Sequence, residues 1–368
     1  MIPFGRLTAV ASLTRPTILD VARRARVSAS VVSHVINGNP AHVGEATRRR
    51  VKRVIEHLGY RPLGVAKSLR RRRTYTLGLV ICDTTSALFA PVARGVEAVA
   101  SRAGYQVLLA HAPDSTAERE ALAALAAHPV EGIIFMSISA RQDSRHLAEA
   151  SGDRFPLAVI NRYGATPRLT RILWDDRAGA RTAVQHLLRL GHTRSGFIAG
   201  PGRGPTTRLS AVRRLEGFRL AHRAAGLALP EKLIILGDYS VEAGVQAALR
   251  LSRLARRPTA ILAANDAMAM GALRGVQMAG LRCPQDIAVV GIGDPPFMAF
   301  AHPPLTTVAL PVEEAGARAA ECVLEQIANP PAQPRTEILP CRLIVRESCG
   351  GLGQALAPGS LRVSGGKG

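Results

Sequence analysis

The sequence predicts an α/β protein of more than one domain: a small, strongly basic helical head, then a larger body in which short strands alternate with helices around parallel sheets. Three observations predict it. The chain has 368 residues, 47% apolar and 20% charged, enough to bury real cores, and roughly 100 to 200 residues per domain makes two or three domains. The charge is unevenly placed: of 48 Lys and Arg against 27 Asp and Glu, residues 1 to 75 hold 16 against 3. Past Tyr75 the rhythm changes from helical spacing to recurring apolar runs separated by amphipathic segments.

A formal net charge of +21 calls for a polyanionic partner. The five cysteines are odd in number and form no C-x-x-C pair, which argues against a disulfide framework or a zinc cluster and fits a reducing cytosol. No stretch approaches 18 uninterrupted apolar residues, and residues 1–15 lack a cationic segment followed by a long apolar run, so secretion and membrane spanning are not expected. Those 15 residues read as a disordered arm, or as the product of a start codon set too far upstream.

The head begins at Thr17-Ile18-Leu19-Asp20, which has the spacing of a capping box, a hydroxyl with an acid three residues on. A helix follows with Ile18, Val21, Ala22 and Ala25 on one face. Arg26-Val27 interrupts it, and Ser28 offers an N-cap for a second helix over Ala29 to Asn37. In that helix Val31, Val32, Val35 and Ile36 are expected inward and Ala29, Ser30, Ser33 and His34 outward, with Gly38-Asn39-Pro40 as the stop. A third helix is expected from Glu45 to Leu58, turning Val51, Val54, Ile55 and Leu58 inward and its arginines mostly outward, and ending at Gly59. Charge and helix pattern alone leave both readings open, and a basic run by itself is usually only the solvated face of a helical bundle.

The order of the residues is more specific. The run T-I-L-D-V-A-R-R-A-R-V-S-A-S-V-V-S-H-V-I-N-G, followed by H-L-G-Y-R-P and V-A-K-S-L, resembles the DNA-binding head of the lactose-repressor (LacI/GalR) family. The resemblance implies a helix-turn-helix whose second helix enters the major groove, with Ala29, Ser30 and His34 at base edges. It also implies DNA contacts at Thr17, Ser28, Ser33, Asn37 and Tyr60, and a hinge helix at Val65 to Leu69 in which Ala66 and Lys67 touch the duplex and Leu69 wedges between base steps. Arg26 replaces the usual small turn residue, where a left-handed backbone carries mild strain. Leu63 and Gly64 stand where relatives commonly have Asn and Ala, which loosens the hinge when DNA is absent. The run Arg70 to Arg73 suits phosphate contact and a solvated linker equally.

In the body, strands are expected at Leu77–Cys82, Val107–Ala110, Gly132–Met136, Leu157–Ile160, Gly196–Ala199, Ile234–Leu236, Ala260–Ala263 and Ala288–Ile292, with helices such as Pro91–Ala103, Arg177–Leu190, Val241–Leu254 and Ala267–Ala279 between them. The resemblance continues to about residue 348 through T-L-G-L-V-I-C-D, G-H-T-R, R-R-L-E-G-F, N-D-A-M-A-M-G-A-L, P-P-L-T-T-V and R-L-I-V-R-E-S. It implies a periplasmic-binding-protein-like α/β effector domain of two subdomains joined by three crossover strands. The organisation expected is therefore a disordered arm over 1–15, a helix-turn-helix domain over 16–62, a hinge and linker over 63–74, an effector-binding and dimerisation domain over 75–348 and a flexible tail over 349–368.

By matched position, the effector cleft takes Phe89, Asn161, Trp174, Arg214, Tyr239, Asn265 and Asp294, with Arg162 and Asp266 as weaker candidates. Aromatic faces suit a sugar ring or a base, and Arg and Asn donors suit hydroxyl or carboxylate oxygens. Where relatives read G-Y-D-D, this chain has Gly291-Ile292-Gly293-Asp294, so the first acid is missing, and Val212 stands where a second Arg is common, with Arg208 and Arg213 nearby as substitutes. The expectation is an effector that is anionic or not a sugar. The candidates span a sugar, a sugar acid and a nucleobase-like molecule.

Catalysis finds little support. The glycine clusters at 200–204 and 291–293 fail the dinucleotide fingerprint, and there is no G-x-S-x-G elbow, Walker lysine motif or H-E-x-x-H. No cofactor or metal is expected, and His192 reads as structural. The adjacent Asp175 and Asp176 point to opposite faces of a strand end. The expectation is a ligand-controlled, homodimeric regulator of operator DNA acting in the cytoplasm, on the nucleoid, without a terminal leucine heptad for tetramer formation. A solute-binding protein explains only the body, and an architectural DNA binder explains only the charge.

Overall fold

The structure, a computed structural model, describes residues 16–36, 43–60, 73–127, 130–136, 145–151, 155–163, 168–201, 209–330 and 333–351. The chain divides into two units at Thr74 and Tyr75.

In the first unit, α1 (Ile18–Ala25) starts at the expected capping box: Thr17 Oγ1 accepts from the Asp20 backbone N–H, and the Asp20 carboxylate accepts from the Thr17 backbone N–H at 2.9 Å. The helix stops where Arg26 turns left-handed, at φ 52° and ψ 52°, and the Val27 N–H bonds back to Ala22. Then α2 (Ala29–Ile36) and α3 (Glu45–Leu58) follow, the latter closed by Gly59 at φ 58°. Val21, Ala22, Ala25, Val32, Val35 and Val51 form the core, flanked by Ile18, Ala29, Ile36, Val54, Ile55 and Leu58. Two expectations for α2 are corrected. Val31 lies outside this core and Ala29 packs against it, because the 100° step of a helix puts Ala29, Val32 and Val35–Ile36 on one side and turns residues 30, 31, 33 and 34 away.

The second unit holds two six-stranded sheets of the same winding. The first contains β1 (Thr76–Ile81), β2 (Gln106–His111), β3 (Gly132–Met136), β4 (Leu157–Ile160), β5 (Thr170–Trp174) and β11 (Thr336–Leu339), in the order β2-β1-β3-β4-β5-β11, all parallel. The second contains β6 (Ser195–Ala199), β7 (Ile234–Leu236), β8 (Ala260–Ala263), β9 (Ala288–Gly293), β10 (Thr306–Ala309) and β12 (Arg342–Ile344), in the order β7-β6-β8-β9-β10-β12, with only β12 antiparallel. Helices α4 (Phe89–Arg102), α5 (Ser115–Ala127), α6 (Arg145–Ser151) and α11 (Val312–Ala328) serve the first sheet. Helices α7 (Asp176–Arg189), α8 (Leu209–Ala224), α9 (Val241–Ser252) and α10 (Asp266–Met278) serve the second.

The chain passes between the sheets three times, after β5, after β10 and between β11 and β12. The first and third passages are tied together, since the Asp175 N–H donates to the Leu339 carbonyl at 3.0 Å. The central strands are buried on both faces, as parallel sheets require, so they read as unbroken apolar runs. Four strands, β5 and β10 to β12, lie outside the windows drawn from sequence. They are three to five residues long and rich in Thr and Arg, so pairing across the sheet rather than local apolar content makes them strands.

Candidate DNA-binding face and effector cleft

On the head, Ser28 and Ser30 are exposed and Ser33 and His34 partly so, all on the side of α2 opposite the core. Ser28 Oγ accepts from the Val31 N–H at 3.3 Å, the cap that starts α2. Thr17 Oγ1 donates to Asp20 at 2.7 Å, so its hydroxyl is already engaged in the cap. Tyr60 is half-buried against the head core. Arg24 reaches His57 Nε2 at 3.1 Å and links α1 to α3. Asn37, Ala66, Lys67 and Leu69, with the rest of the expected hinge, lie outside the described residues.

In the body the candidate residues gather at the carboxyl ends of the strands. In a sheet wound 2-1-3-4-5 the chain leaves β1 and β3 in opposite directions and opens a crevice, and here two such crevices belong to two sheets, at β1/β3 and β6/β8. Arg214, from the second turn of α8, reaches the second crevice: its Nη1 donates to the Ala264 carbonyl just past β8. Its Nε donates to Asp176 Oδ1 at 2.6 Å, with both side chains almost wholly buried. Burial alone would disfavour the arginine cation, but Asp176 more than offsets this and holds the Arg214 pKa above its ordinary value.

Asp176 also joins the two subdomains. Tyr163, which follows β4 of the first sheet, donates its hydroxyl to Asp176 Oδ2 at 2.9 Å and lies 2.7 Å from the Trp174 carbonyl. Burial, and then the neighbouring Asp176 carboxylate, push the Tyr163 phenol well above its usual range, so it stays a protonated donor. The Arg213 guanidinium lies 4.5 Å from the centre of the Tyr163 ring. It makes no ion pair among the described residues.

Trp174 is fully buried, and its indole N–H faces Asp176 without closing a hydrogen bond. Asn161 is buried at φ 55° with its Oδ1 unpartnered. Asn265 is occupied structurally: Oδ1 caps α10 by accepting from the Met268 N–H at 2.9 Å, and Nδ2 donates to the Tyr239 carbonyl at 3.0 Å. The Tyr239 ring lies on Gly200, where a Cβ would come within 2.3 Å of it. Phe89 is half-buried at the start of α4. Arg162 donates to both oxygens of Glu118, at 2.8 and 3.0 Å, beside His146.

The acid missing from position 293 is supplied from the first turn of α10. Asp266 Oδ1 accepts from the Thr307 hydroxyl at 2.6 Å and Oδ2 from the Asp294 N–H at 2.5 Å. A Cβ at Gly291 or Gly293 would stand 2.0 or 2.7 Å from these oxygens, so both glycines make room for the carboxylate. Burial pushes the Asp266 pKa up to about 6. Asp294 is paired with Arg346 at 2.7 Å. The argument for an anionic effector is corrected accordingly: the Arg214 charge is balanced by Asp176 and the acid is not lost. Among the described residues Arg213, unlike Arg214, has no ion-pair partner beside this cluster.

Asp176, Tyr163, Thr307 and Arg346 were not singled out from sequence as cleft residues, whereas Arg213 was expected as a substitute for the second Arg. The acidic pair after an apolar run marks a helix start, and Asp175 indeed caps α7 through the Ala178 N–H at 2.9 Å. Nothing local marks Asp176 as the partner of an arginine 38 positions on.

Residues 17–62 match the family described as bacterial regulatory proteins, lacI family, and residues 184–349 match the periplasmic binding protein-like domain. Catabolite control protein A of Priestia megaterium is 32% identical over 334 residues, covering 90% of this chain and 98% of the relative. The HTH-type transcriptional repressor PurR of Photobacterium profundum is 33% identical over 333 residues, with the same coverage of 90% and 98%. The ribose operon repressor of Escherichia coli K12 is 34% identical over 321 residues, covering 86% and 94%. Among solved structures, the lac repressor dimer bound to operator and the anti-inducer ONPF aligns with a TM-score of 0.80 at 28% identity, covering 91% of this chain and 99% of that one. The complex of the transcriptional regulator CelR with cellobiose aligns with a TM-score of 0.67 at 33% identity, covering 91% and 100%.

Proposed function

The chain belongs to the lacI family of bacterial regulatory proteins, and from that premise we propose that it is a homodimeric transcriptional repressor whose grip on operator DNA is set by a small molecule in the cleft of its body. The observation that carries this reading is the pairing, in one chain, of a helix-turn-helix whose α2 turns residues 30, 31, 33 and 34 away from the core and a two-sheet body with polar groups converging at its strand ends. Ser30 and His34 read base edges from α2, while Ser28, Ser33, Asn37 and Tyr60 position the head on phosphates. Ala66, Lys67 and Leu69 serve the minor groove.

The effector is a sugar, a sugar acid or a nucleobase-like molecule, held by Asn161, Arg213, Tyr239 and Asp294 over a floor made by Trp174 and the Arg214–Asp176 pair. Tyr163 hangs from the first subdomain and bonds to Asp176 of the second, so a ligand that shifts one subdomain against the other makes or strains that bond. Unequal affinity for the two arrangements is all that is needed to move the operator-binding equilibrium. The protein acts in the cytoplasm, on the nucleoid, with no catalytic role. No helix among the described residues is long and apolar enough to cross a membrane.

Selection of bound sites from random duplexes tests this, followed by footprinting and by calorimetry with a neutral hexose, a hexuronate and a purine base. The expected result is protection of a short inverted repeat and a change in its affinity with one ligand class. Equal affinity for all duplexes at moderate salt rejects the reading.

A further inference from the structure

The body carries a second concentration of positive charge, distinct from the head. Its two subdomains differ sharply: residues 75–174 and 312–339 hold 11 Lys and Arg against 14 Asp and Glu, whereas residues 175–311 and 340–351 hold 19 against 10. A general taste for arginine would load both halves of one fold alike. It does not, so the surplus belongs to the second subdomain.

Much of that surplus gathers at one end. Arg189 ends α7, Arg223 is in the last turn of α8, Arg253 caps α9, and Arg194, Arg256 and Arg257 lie in the loops leading into β6 and β8. All of these are exposed except Arg194, which is partly so. Hydrogen bonds sew the segments together. Arg194 Nε donates to the Arg256 carbonyl at 2.8 Å, the Thr259 N–H donates to the Arg194 carbonyl at 2.9 Å, and Ser195 Oγ meets His222 Nε2 at 2.9 Å, which brings the end of α8 to the start of β6. This is the edge of the sheet opposite the strand ends that form the cleft.

The acids at this end are already engaged, Glu231 with Arg219 at 2.8 Å and Asp286 with Arg282 at 3.3 Å. None of the six arginines makes an ion pair with an acid among the described residues. Complementing helix dipoles accounts for Arg189, Arg223 and Arg253, but not for the three loop arginines. In the first subdomain α4 ends on Arg102, but α5, α6 and α11 have no basic residue in the last turn, so the fold itself does not demand them.

We propose that this distal arginine end of the second subdomain is a second contact for duplex DNA, separate from the helix-turn-helix, so that a protein seated on its operator holds another duplex segment. A cluster of guanidinium groups that form no ion pair among the described residues, over a rigid sheet edge, matches a duplex, which offers a phosphate about every 1.7 Å along its axis and requires no base recognition. The contact is non-specific and steeply salt-dependent. Four or five neutralised phosphates weaken it by roughly 10²- to 10³-fold between 50 and 200 mM salt.

The inference rests on the operator-binding reading of the head, and the test separates the two. The full-length protein is saturated with an unlabelled duplex carrying its selected site, and a labelled 24-base-pair duplex of unrelated sequence is titrated in at 50 mM salt by anisotropy. The wild type is expected to take up the labelled duplex while the operator stays bound. The triple variant R253A/R256A/R257A is expected to lose at least tenfold in affinity for the second duplex, with operator affinity within twofold of wild type and an unchanged melting temperature. Failure of the selected duplex to bind at all overturns the function of the head. Operator binding without uptake of the second duplex, or equal uptake by the triple variant, overturns the second contact. So does capture of anionic phospholipid vesicles in place of DNA.

Discussion

Burial of Asp266 makes the stability of the body depend on pH in a direction opposite to that of an ordinary carboxylate. The side chain sits between β9 and β10, facing the Thr307 hydroxyl, the Asp294 N–H and carboxylate, and more distantly Arg214, with Arg346 neutralising Asp294. Its pKa is raised from 3.8 to about 6, so between these values the folded protein holds a proton that the unfolded chain releases. The contribution is therefore fully present below pH 3.8 and is lost as pH rises through 6. At 1.36 kcal/mol per unit, the difference is about 3 kcal/mol by neutral pH. D266N removes this titration. It also costs about 1 to 3 kcal/mol at every pH, because one amide oxygen cannot accept from both Thr307 and the Asp294 N–H. Urea unfolding at intervals from pH 4 to 8 separates the two effects. The wild type should lose about 2.4 kcal/mol relative to D266N across that range, after their constant offset is removed. Parallel pH profiles for the two proteins would refute the assignment.

R214A strands Asp176 as an unpaired buried acid and should destabilise the body by about 3 to 5 kcal/mol, read as a fall in the urea midpoint; a loss under 1 kcal/mol contradicts the buried pair. Y163F removes only the hydroxyl bridge between the subdomains and should cost about 1 kcal/mol while changing effector affinity in calorimetry, and unchanged affinity denies the bridge a part in ligand response. R26G relieves the left-handed turn after α1 and should stabilise the head by about 1 kcal/mol in thermal melts monitored by amide signals of residues 18–58. T17A breaks the capping box and should cost the head about 1 kcal/mol by the same measurement.

The head was legible almost to the residue. The capping box at Thr17, the break at Arg26, the glycine stop at Gly59 and the inward face of α3 all follow from neighbours within four positions, where helical periodicity and capping operate. The central strands of both sheets were legible for a related reason: strands buried on both faces need long apolar runs, and Gly132–Met136 and Leu157–Ile160 match to the residue. By itself, then, the chain order determined the basic reader, the alternation of strand and helix, and the family.

Tertiary structure alone decided which charges meet. Arg214 looked like a free cation until α8 carried it to Asp176, and Gly293 looked like a lost acid until β8 and β9 brought Asp266 into the space the glycine leaves. The short strands at the three crossings, and the six arginines gathered from three helix ends and two loops, are equally invisible along the chain. Such contacts join residues tens of positions apart, and their partners are chosen by sheet order and helix packing, which local spacing does not encode.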